Sequence, residues 1–302
     1  MFKGGGGIQQ LYGTSWTIAG IVSYQCGIPL NLPINGNQFG KRSKKFLQGA
    51  TCLSDILANE QYKQVFLMPH DRNFSGLGWF LKEHGNVEIR DLKYFKKMGL
   101  PSDYKGYWGI KDDLNFEFAK QTLLELSKSK EAFALYVLTI DTHAQDGFID
   151  TNKCGDFEKV GGYKGAVMCS DRIIGDFVQW TMQQDFYKDT TIVILGDHLS
   201  MIQDFFPSDI ENRRVYNAFI NPLFFNKVQK ERIANRKFSH FDIFPTILDS
   251  LNVEIKGGRL GLGVDLMSGY KTILESGIYD EDSLQKRSKI YDSFLLQRQG
   301  KY

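Results

Sequence analysis

Thr190-Thr191-Ile192-Val193-Ile194-Leu195-Gly196-Asp197-His198 is the stretch that decides the fold of this chain. Its apolar and β-branched run, without alternation, predicts a strand that is buried on both faces of a parallel sheet. Ligands of such sheets bind just beyond the carboxyl ends of the strands, and Asp197 and His198 follow at that point. One oxygen donor and one nitrogen donor suit a divalent metal. The alternative is a strand end with two ordinary polar loop residues.

A second apolar run, over residues 133–140, predicts another buried strand, and it ends in Asp141-Thr142-His143. The helical pattern over 161–184 connects the two runs, which predicts a right-handed strand–helix–strand unit with parallel strands. His143 is therefore expected at the same sheet edge as Asp197 and His198. His70 and Asp71 follow a third predicted strand, over 64–68, and are candidates for the same cleft.

The remaining pattern predicts one α/β domain over residues 1–302, with a mostly parallel central sheet flanked by helices. Further strands are predicted over 87–89 and 217–225, and further helices over 51–62, 74–84, 113–127 and 240–248. The glycine-rich residues 1–11 are expected to be flexible. A helical tail is expected over 270–302.

Composition excludes several classes of protein. The chain has 302 residues, 42% of them hydrophobic and 24% charged, with a net charge of +2, so nothing indicates a nucleic-acid partner. The densest basic cluster, over residues 41–45, is interpreted as a solvated loop. Neither a signal peptide nor an apolar run of the ~20 residues that span a bilayer is present in the sequence.

The four cysteines leave two interpretations open. Cys26 and Cys52, and Cys154 and Cys169, form two local pairs that would make disulfides in an oxidising compartment. None of the four has the C-x-x-C spacing of zinc or redox motifs. Four buried free thiols are the alternative.

Hydroxyl and histidine side chains at two predicted helix starts are further candidates. Thr14 and Ser15 precede an apolar helical run, where a hydroxyl serves as an N-cap or as a nucleophile whose phosphate is held by free backbone N–H groups. His240 and Asp242 begin the helix predicted over 240–248, where helix capping and a contribution to the site are the alternatives.

Taken together, four motifs resemble the sulfatase-like branch of the alkaline phosphatase superfamily, closest to its phosphoglycerol transferases. The motifs are Gly13-Thr14-Ser15-Trp16-Thr17, Thr139-Ile140-Asp141-Thr142-His143, Gly196-Asp197-His198 and His240-Phe241-Asp242-Ile243-Phe244-Pro245-Thr246. The resemblance implies that Thr14 is both nucleophile and metal ligand, that Asp197 and His198 are metal ligands, and that His143 assists the leaving group. The implied metal is a divalent cation, Mn²⁺ in the resemblance, with Mg²⁺ and Zn²⁺ as alternatives.

The implied reaction moves phosphoglycerol from a phosphatidylglycerol-like lipid to a glycan or lipid acceptor through a covalent phosphothreonine. A phosphoethanolamine transferase or phosphodiesterase of the same superfamily is the alternative. The resemblance also implies a parent protein anchored in the inner membrane, with this region on the periplasmic or extracytoplasmic face.

Two departures from the family pattern qualify these expectations. Cys26-Gly27-Ile28-Pro29 does not fit the C-x-P-x-R motif of the sulfatases proper, so sulfate-ester hydrolysis is not expected. The family places a first strand and a metal-binding carboxylate several tens of residues upstream of the threonine, whereas no acid precedes Thr14 here. The chain is therefore expected to be the C-terminal portion of a longer protein that lacks the first strand, and an inactive fragment is a third alternative.

Overall fold

The structure, a computed structural model, describes residues 7–32, 46–104, 106, 108–202, 212–224, 235–286 and 288–295. The basic cluster over 41–45 lies outside these residues. The α-helices are α1 (Thr17–Cys26), α2 (Leu53–Asn59), α3 (Leu77–Glu83), α4 (Leu92–Lys97), α5 (Asp112–Leu126), α6 (Thr151–Cys154), α7 (Gly162–Met182), α8 (His240–Ser250) and α9 (Glu281–Gln285). The strands are β1 (Lys63–Leu67), β2 (Glu88–Arg90), β3 (Phe133–Val137), β4 (Ile192–Leu195), β5 (Asn217–Ile220), β6 (Arg259–Leu260) and β7 (Gly263–Val264).

A parallel sheet with the strand order β2-β1-β3 has helices on both faces, which confirms the predicted α/β class. The side chains of β1 alternate between two apolar layers. Val65 and Leu67 pack in the layer that contains residues of α4, α5 and α7. Phe66 packs in the opposite layer, with residues of α1 and α3. Burial on both faces explains why this strand is a continuous apolar run.

The two strands of the predicted strand–helix–strand unit belong to separate sheets. β3 pairs only with β1, whereas β4 pairs antiparallel with β5 in a separate sheet, so among the described strands no ladder joins β3 to β4. The single central sheet expected from the sequence is thus divided. The two strands border a common cavity instead of each other, as shown below.

The strand predicted over 217–225 ends early, at Ile220. Asn221 follows with a left-handed backbone (φ 56°), and its side-chain amide donates hydrogen bonds to the carbonyl oxygens of Tyr187 (2.8 Å) and Thr190 (3.0 Å). Asparagine tolerates this backbone conformation better than most residues do, and the conformation takes the chain out of the sheet.

Both termini of the described chain differ from the sequence-based expectations. Ile8 exchanges two backbone hydrogen bonds of 2.9 Å with Val215, so the flexible segment expected over 1–11 does not include it; residues 1–6 lie outside the described part. The C-terminal segment is not one helix over 270–302. It contains α9 and a π-helical turn over Tyr291–Leu295, where the Tyr291 hydroxyl donates to Pro29 O at 2.7 Å.

All four cysteines are paired, as Cys26–Cys52 and Cys154–Cys169. The first bridge joins the end of α1 to the residue before α2, and the second joins α6 to α7. The sequence had left disulfides and free thiols open, and the structure has disulfides. None of the helices in the described ranges has the length and hydropathy needed to cross a bilayer.

Candidate active site

Polar side chains that follow three strands meet around one cavity of about 1410 Å³. His70 and Asp71 come after β1, His143 after β3, and Asp197 and His198 after β4, and all five line the cavity. The structure therefore places these five residues on one cavity even though the sheet is divided.

Asp197 and His198 face each other with a geometry that suits one metal ion. Asp197 Oδ2 lies 3.5 Å from His198 Nε2. The other ring nitrogen of His198, Nδ1, donates to Leu199 O at 2.8 Å, which fixes the tautomer and leaves the Nε2 lone pair available. Two ligands at about 2.1 Å from a tetrahedral metal lie about 3.4 Å apart. The pair therefore fits half of a divalent metal site.

His240 is the first residue of α8 and is fully buried, and its ring faces the backbone carbonyl groups of Gly196 and Asp197, although neither ring nitrogen makes a hydrogen bond of good geometry. Burial lowers the pKa of His240 to about 4, and the nearby Asp197 carboxylate partly opposes this shift. The ring is therefore neutral at pH 7, with a free lone pair. His240 therefore presents a neutral, buried imidazole beside the candidate metal ligand Asp197.

Helix capping, the alternative for this segment, holds for Asp242 but not for His240. Ser239 is the N-cap of α8, and Asp242 Oδ2 accepts the Ser239 backbone N–H at 2.8 Å, which completes a capping box. Asp242 Oδ1 accepts the Val264 N–H at 2.8 Å. Asp242 is thus engaged in structure, whereas His240 remains available for the site.

Thr14 is fully buried, and its hydroxyl closes a turn. The Thr14 Oγ1 donates to Leu11 O at 2.8 Å and accepts the Leu11 N–H at 3.1 Å. It is not the N-cap of α1, because the helix begins at Thr17 and Trp16 precedes it without a side-chain cap. Ser15 lines the cavity, whereas Thr14 is not among the described residues that do.

Two contacts hold the Thr14 turn beside the Asp197–His198 pair. Gln10 Oε1 accepts the Leu199 backbone N–H at 2.8 Å. At Gly20 in α1, the backbone approaches that of Asp197 so closely that a Cβ atom would lie 2.2 Å from the Asp197 carbonyl oxygen. The segments on both sides of Thr14 are therefore fixed to the end of β4.

His143 is exposed to the cavity and is oriented by its neighbours. Its Nδ1 donates to Ala144 O at 2.7 Å, so Nε2 is the free nitrogen. The ring lies against the indole of Trp108, with 4.6 Å between centroids, and Trp108 is 53% exposed. Burial lowers the pKa of His70, and the nearby His143 adds to that shift. His143 is thus positioned to exchange a proton with a bound molecule.

A buried pair of aspartates fixes the backbone that leads to His143. Asp112 Oδ1 accepts the Ile140 N–H at 2.7 Å, and Asp141 Oδ2 accepts the Asp112 N–H at 2.9 Å. Burial raises the pKa of both carboxyl groups, and their proximity raises the pKa of Asp141 further. The pair joins the start of α5 to the loop after β3.

A second group of potential metal donors does not form a metal site in this disulfide-bonded chain. Within the described ranges, Cys52, Asp55 and His84 are the one group of three or more Cys, His, Asp and Glu donors whose atoms all lie within 4.8 Å of one another. The Cys52 sulfur is bonded to Cys26. Asp55 accepts hydrogen bonds from Cys52 N, His84 and Gly85 N, so its oxygens are already used.

Sequence reasoning gave no role to Trp108 and left His240 open. An aromatic loop around Trp108 could be predicted, but nothing in the local sequence shows that its indole contacts His143. Residues 239–242 have the Ser-x-x-Asp pattern of a helix cap, which gave a structural explanation for the whole segment. That explanation applies to Asp242 but not to His240.

Comparison with known proteins identifies relatives of this chain by sequence. A family model described as sulfatase matches residues 23–253. Phosphoglycerol transferase I of Escherichia coli, in strains 55989 and K12, is 36% identical over 269 residues. The aligned region covers 86% of this chain and 34% of the relative, so the chain spans about a third of the length of the curated relatives it matches.

Solved structures share the fold at low sequence identity. Lipoteichoic acid synthase LtaP from Listeria monocytogenes is 19% identical with a TM-score of 0.67, and the match covers 87% of this chain and 67% of that one. The phosphoglycerol transferase GacH from Streptococcus pyogenes, solved with sn-glycerol-1-phosphate, is 13% identical with a TM-score of 0.53, covering 84% and 66%. At these identities the likeness is one of fold alone.

Proposed function

Because the chain belongs to the sulfatase family of the alkaline phosphatase superfamily, we propose that it forms the catalytic region of a metal-dependent phosphoglycerol transferase. The observation that carries this proposal is the 3.5 Å approach of Asp197 Oδ2 and His198 Nε2, in the cavity that His143 also lines. The relatives named phosphoglycerol transferase I support the choice of phosphoglycerol as the transferred group.

Asp197 and His198, with Thr14, would hold a divalent cation. When bound, such a cation lowers the pKa of a hydroxyl and neutralises charge on phosphoryl oxygens. The mixed oxygen and nitrogen donors suit Mn²⁺, which we propose from the family resemblance, and they also suit Zn²⁺, whereas Mg²⁺, the remaining alternative, prefers oxygen ligands. The buried His240 imidazole lies beside Asp197, and in this proposal it contacts a phosphate oxygen or the cation.

Thr14 and His143 would carry the covalent steps. The Thr14 Oγ1 forms a bond to the phosphorus of a phosphatidylglycerol-like lipid, and the bond from phosphorus to the lipid alcohol breaks. As this bond forms, the Thr14 hydroxyl proton passes to His143 Nε2, the nitrogen left free by the Ala144 hydrogen bond, and His143 delivers it to the departing alcohol. In the second step His143 Nε2 takes a proton from the acceptor hydroxyl as that oxygen displaces Thr14, and the proton returns to the Thr14 oxygen. The Thr14 hydroxyl must first release its bond to Leu11 O.

The proposed lipid substrate and the two disulfides indicate the same cellular compartment. Two disulfides support an oxidising location, which we propose to be the periplasmic or extracytoplasmic face of the membrane. A lipid donor places the reaction at that membrane surface, and the acceptor would be a glycan.

A donor competition tests this function directly. The chain is incubated with Mn²⁺ and with vesicles of either phosphatidylglycerol or phosphatidylethanolamine, and diacylglycerol release is measured. We expect release from phosphatidylglycerol at least about tenfold faster, abolished by Thr14→Ala and only slowed by Ser15→Ala. Faster release from phosphatidylethanolamine would contradict the phosphoglycerol assignment, and equal loss in Thr14→Ala and Ser15→Ala would contradict the choice of nucleophile.

A further inference from the structure

We propose that Tyr291, in the π-helical turn over 291–295, is a positioning residue that holds the turn of the nucleophile Thr14 during the reaction. The inference deepens the proposed function and rests on its assignment of Thr14 as the nucleophile. Tyr291 acts through the segment over residues 29–31, which connects its hydroxyl to the Thr14 turn by backbone hydrogen bonds.

The Tyr291 hydroxyl bridges two backbone groups. It donates a hydrogen bond to Pro29 O at 2.7 Å and accepts one from the Asn31 N–H at 3.0 Å. Leu30 lies between these two residues, and its N–H donates to Gly13 O at 3.0 Å. The two bonds of one hydroxyl therefore flank the residue that is bonded to the carbonyl group directly before the nucleophile.

The segment over 29–31 depends on partners outside α1. Gly27 ends that helix with a left-handed backbone (φ 66°), so the residues after it do not continue the helical hydrogen bonds. Pro29 is buried and has no backbone N–H, and its carbonyl oxygen accepts the Tyr291 hydroxyl. Because buried backbone groups are nearly always paired, loss of this hydroxyl would force the segment to rearrange or to leave polar groups unsatisfied.

The Thr14 turn fits closely against the same segment. Gly13 has a left-handed backbone (φ 77°), and a Cβ atom there would lie 2.6 Å from Pro29 Cβ and 3.2 Å from Leu30 N. Closely packed atoms leave no space to absorb a displacement. A shift of residues 29–31 therefore displaces the peptide group before Thr14.

The reaction removes other bonds of this turn. At rest, Thr14 Oγ1 bonds to both the carbonyl oxygen and the N–H of Leu11. These side-chain bonds are lost when the hydroxyl turns to the phosphate, whereas the backbone bonds from Thr14 N to Leu11 O (3.2 Å) and from Leu30 N to Gly13 O still hold the turn. The bond that Tyr291 supports thus matters most at the moment of attack, when a misplacement of about 1 Å can reduce the rate about 100-fold.

The Tyr291 ring is itself held by the protein core. It packs with Leu295 against the apolar layer that contains residues of α1 and α3. Leu295 O accepts the Gly49 N–H at 3.3 Å, and Gly49 leaves no room for a Cβ atom beside Phe294 O. Burial raises the pKa of Tyr291 to about 12, so at neutral pH its hydroxyl keeps the proton that it donates to Pro29.

A purely structural role of the Tyr291 hydroxyl is the alternative, in which its loss lowers stability without a specific effect on Thr14. Thr122 in α5 provides the matched control. It is also buried, and its hydroxyl also accepts a hydrogen bond, from the Arg90 guanidinium at 3.0 Å. Tyr291→Phe and Thr122→Val each remove one hydroxyl and keep the shape of the side chain.

Hydrogen exchange without substrate or metal tests whether the hydroxyl holds the segment. In Tyr291→Phe, the amides of Leu30 and Asn31 should exchange at least about tenfold faster than in the wild type, because the bonds that restrain them are lost or weakened. In Thr122→Val, the same two amides should exchange as in the wild type. Unchanged exchange of Leu30 in Tyr291→Phe would overturn the proposal.

The rate of glycerophosphoryl adduct formation on Thr14 tests the role in the reaction, in a single turnover with Mn²⁺ and phosphatidylglycerol vesicles. At saturating lipid, Tyr291→Phe should form the adduct at least about tenfold more slowly, while the lipid concentration for half-maximal rate stays within about twofold. Thr122→Val should stay within about twofold in both. An equal loss of rate in the two variants, a change in lipid affinity alone, or faster adduct formation in Tyr291→Phe would overturn the positioning role.

Failure of this inference and failure of the proposed function give different results. A wild-type protein that forms no adduct on Thr14 would contradict the proposed function and, with it, the role of Tyr291 in that reaction. A wild-type adduct that forms equally fast in Tyr291→Phe would leave the function in place and overturn the positioning role alone.

Discussion

Gly20 of α1 lies against the backbone of Asp197, where a Cβ atom would come within 2.2 Å of the Asp197 carbonyl oxygen and 2.9 Å of its carbonyl carbon. Only a residue without a side chain allows the helix to approach the end of β4 this closely. The contact connects the segment that contains Thr14 with the candidate metal ligands.

Substitution of Gly20 should therefore damage the site. We expect Gly20→Ala to reduce transfer activity at least tenfold and to lower the free energy of unfolding by about 1–3 kcal/mol, because the new methyl group meets backbone that cannot move aside. Gly175→Ala in α7 is the matched control. It introduces the same change in a helix where nothing lies within 4 Å, so it should stabilise by about 0.5–1 kcal/mol and leave activity unchanged. Equal effects of the two variants would contradict the role of the Gly20 contact.

His240→Leu separates a role in the site from a role in stability. The leucine keeps an apolar volume and removes two buried nitrogens that make no hydrogen bond of good geometry, so the free energy of unfolding should change by less than about 1 kcal/mol. Affinity for Mn²⁺ or for the phosphate group should fall roughly 10–100-fold. Calorimetric titration with Mn²⁺, then with glycerol phosphate, measures both.

Asp242→Ala, in the same helix turn, should behave in the opposite way. It leaves the Ser239 and Val264 amides without their acceptor, so stability should fall by about 1–3 kcal/mol while metal affinity is kept. A His240→Leu protein with wild-type affinity for both ligands would remove His240 from the site.

The Asp112–Asp141 pair predicts a dependence of stability on pH. Burial raises the pKa of both groups, so the folded protein keeps protons that the unfolded chain releases above about pH 4. The folded state then binds more protons than the unfolded state, and the contribution of the pair to stability falls as pH rises.

Asp141→Asn should remove part of the loss of stability that accompanies rising pH. Urea unfolding at intervals from about pH 4 to about pH 8 should show a decline smaller than that of the wild type by about 1 kcal/mol or more. Parallel curves for the two proteins would mean that Asp141 does not titrate differently in the folded state.

The Cys26–Cys52 bridge should contribute to stability without taking part in the chemistry. It closes a loop with a sequence separation of 26 residues, so Cys26→Ala/Cys52→Ala should cost about 3 kcal/mol and lower Tm by roughly 6–12 °C. Calorimetry measures the shift, and activity per folded molecule should stay within about twofold. An unchanged Tm would show that the bridge adds nothing to the folded state.

The α/β class and the placement of His143, Asp197 and His198 on one cavity could be predicted from sequence because both follow from local rules. Apolar runs without alternation give buried strands, and the carboxyl ends of such strands meet at one edge. The break between β3 and β4 could not be predicted, because strand pairing depends on which segments neighbour each other in space. Neither strand carries a local signal of which strand it pairs with.

Other features of the site could not be predicted from sequence, because they depend on burial and on long-range contacts. The lowered pKa of His240 follows from its complete burial at the start of α8, which no residue pattern reports. The hydrogen bonds of Thr14 to Leu11 arise in a turn that replaces the first turn of the predicted helix. Spacing alone did not decide the cysteine pairs, since disulfides and buried thiols have the same sequence pattern.

The most direct measurement of the central claim is intact-mass and peptide mass spectrometry of the chain after incubation with Mn²⁺ and phosphatidylglycerol in the absence of acceptor. The proposed mechanism predicts a glycerophosphoryl adduct on Thr14, absent from Thr14→Ala and discharged when a glucan acceptor is added. A glycerophosphoryl adduct on Ser15, or diacylglycerol release with no adduct on Thr14, would contradict it.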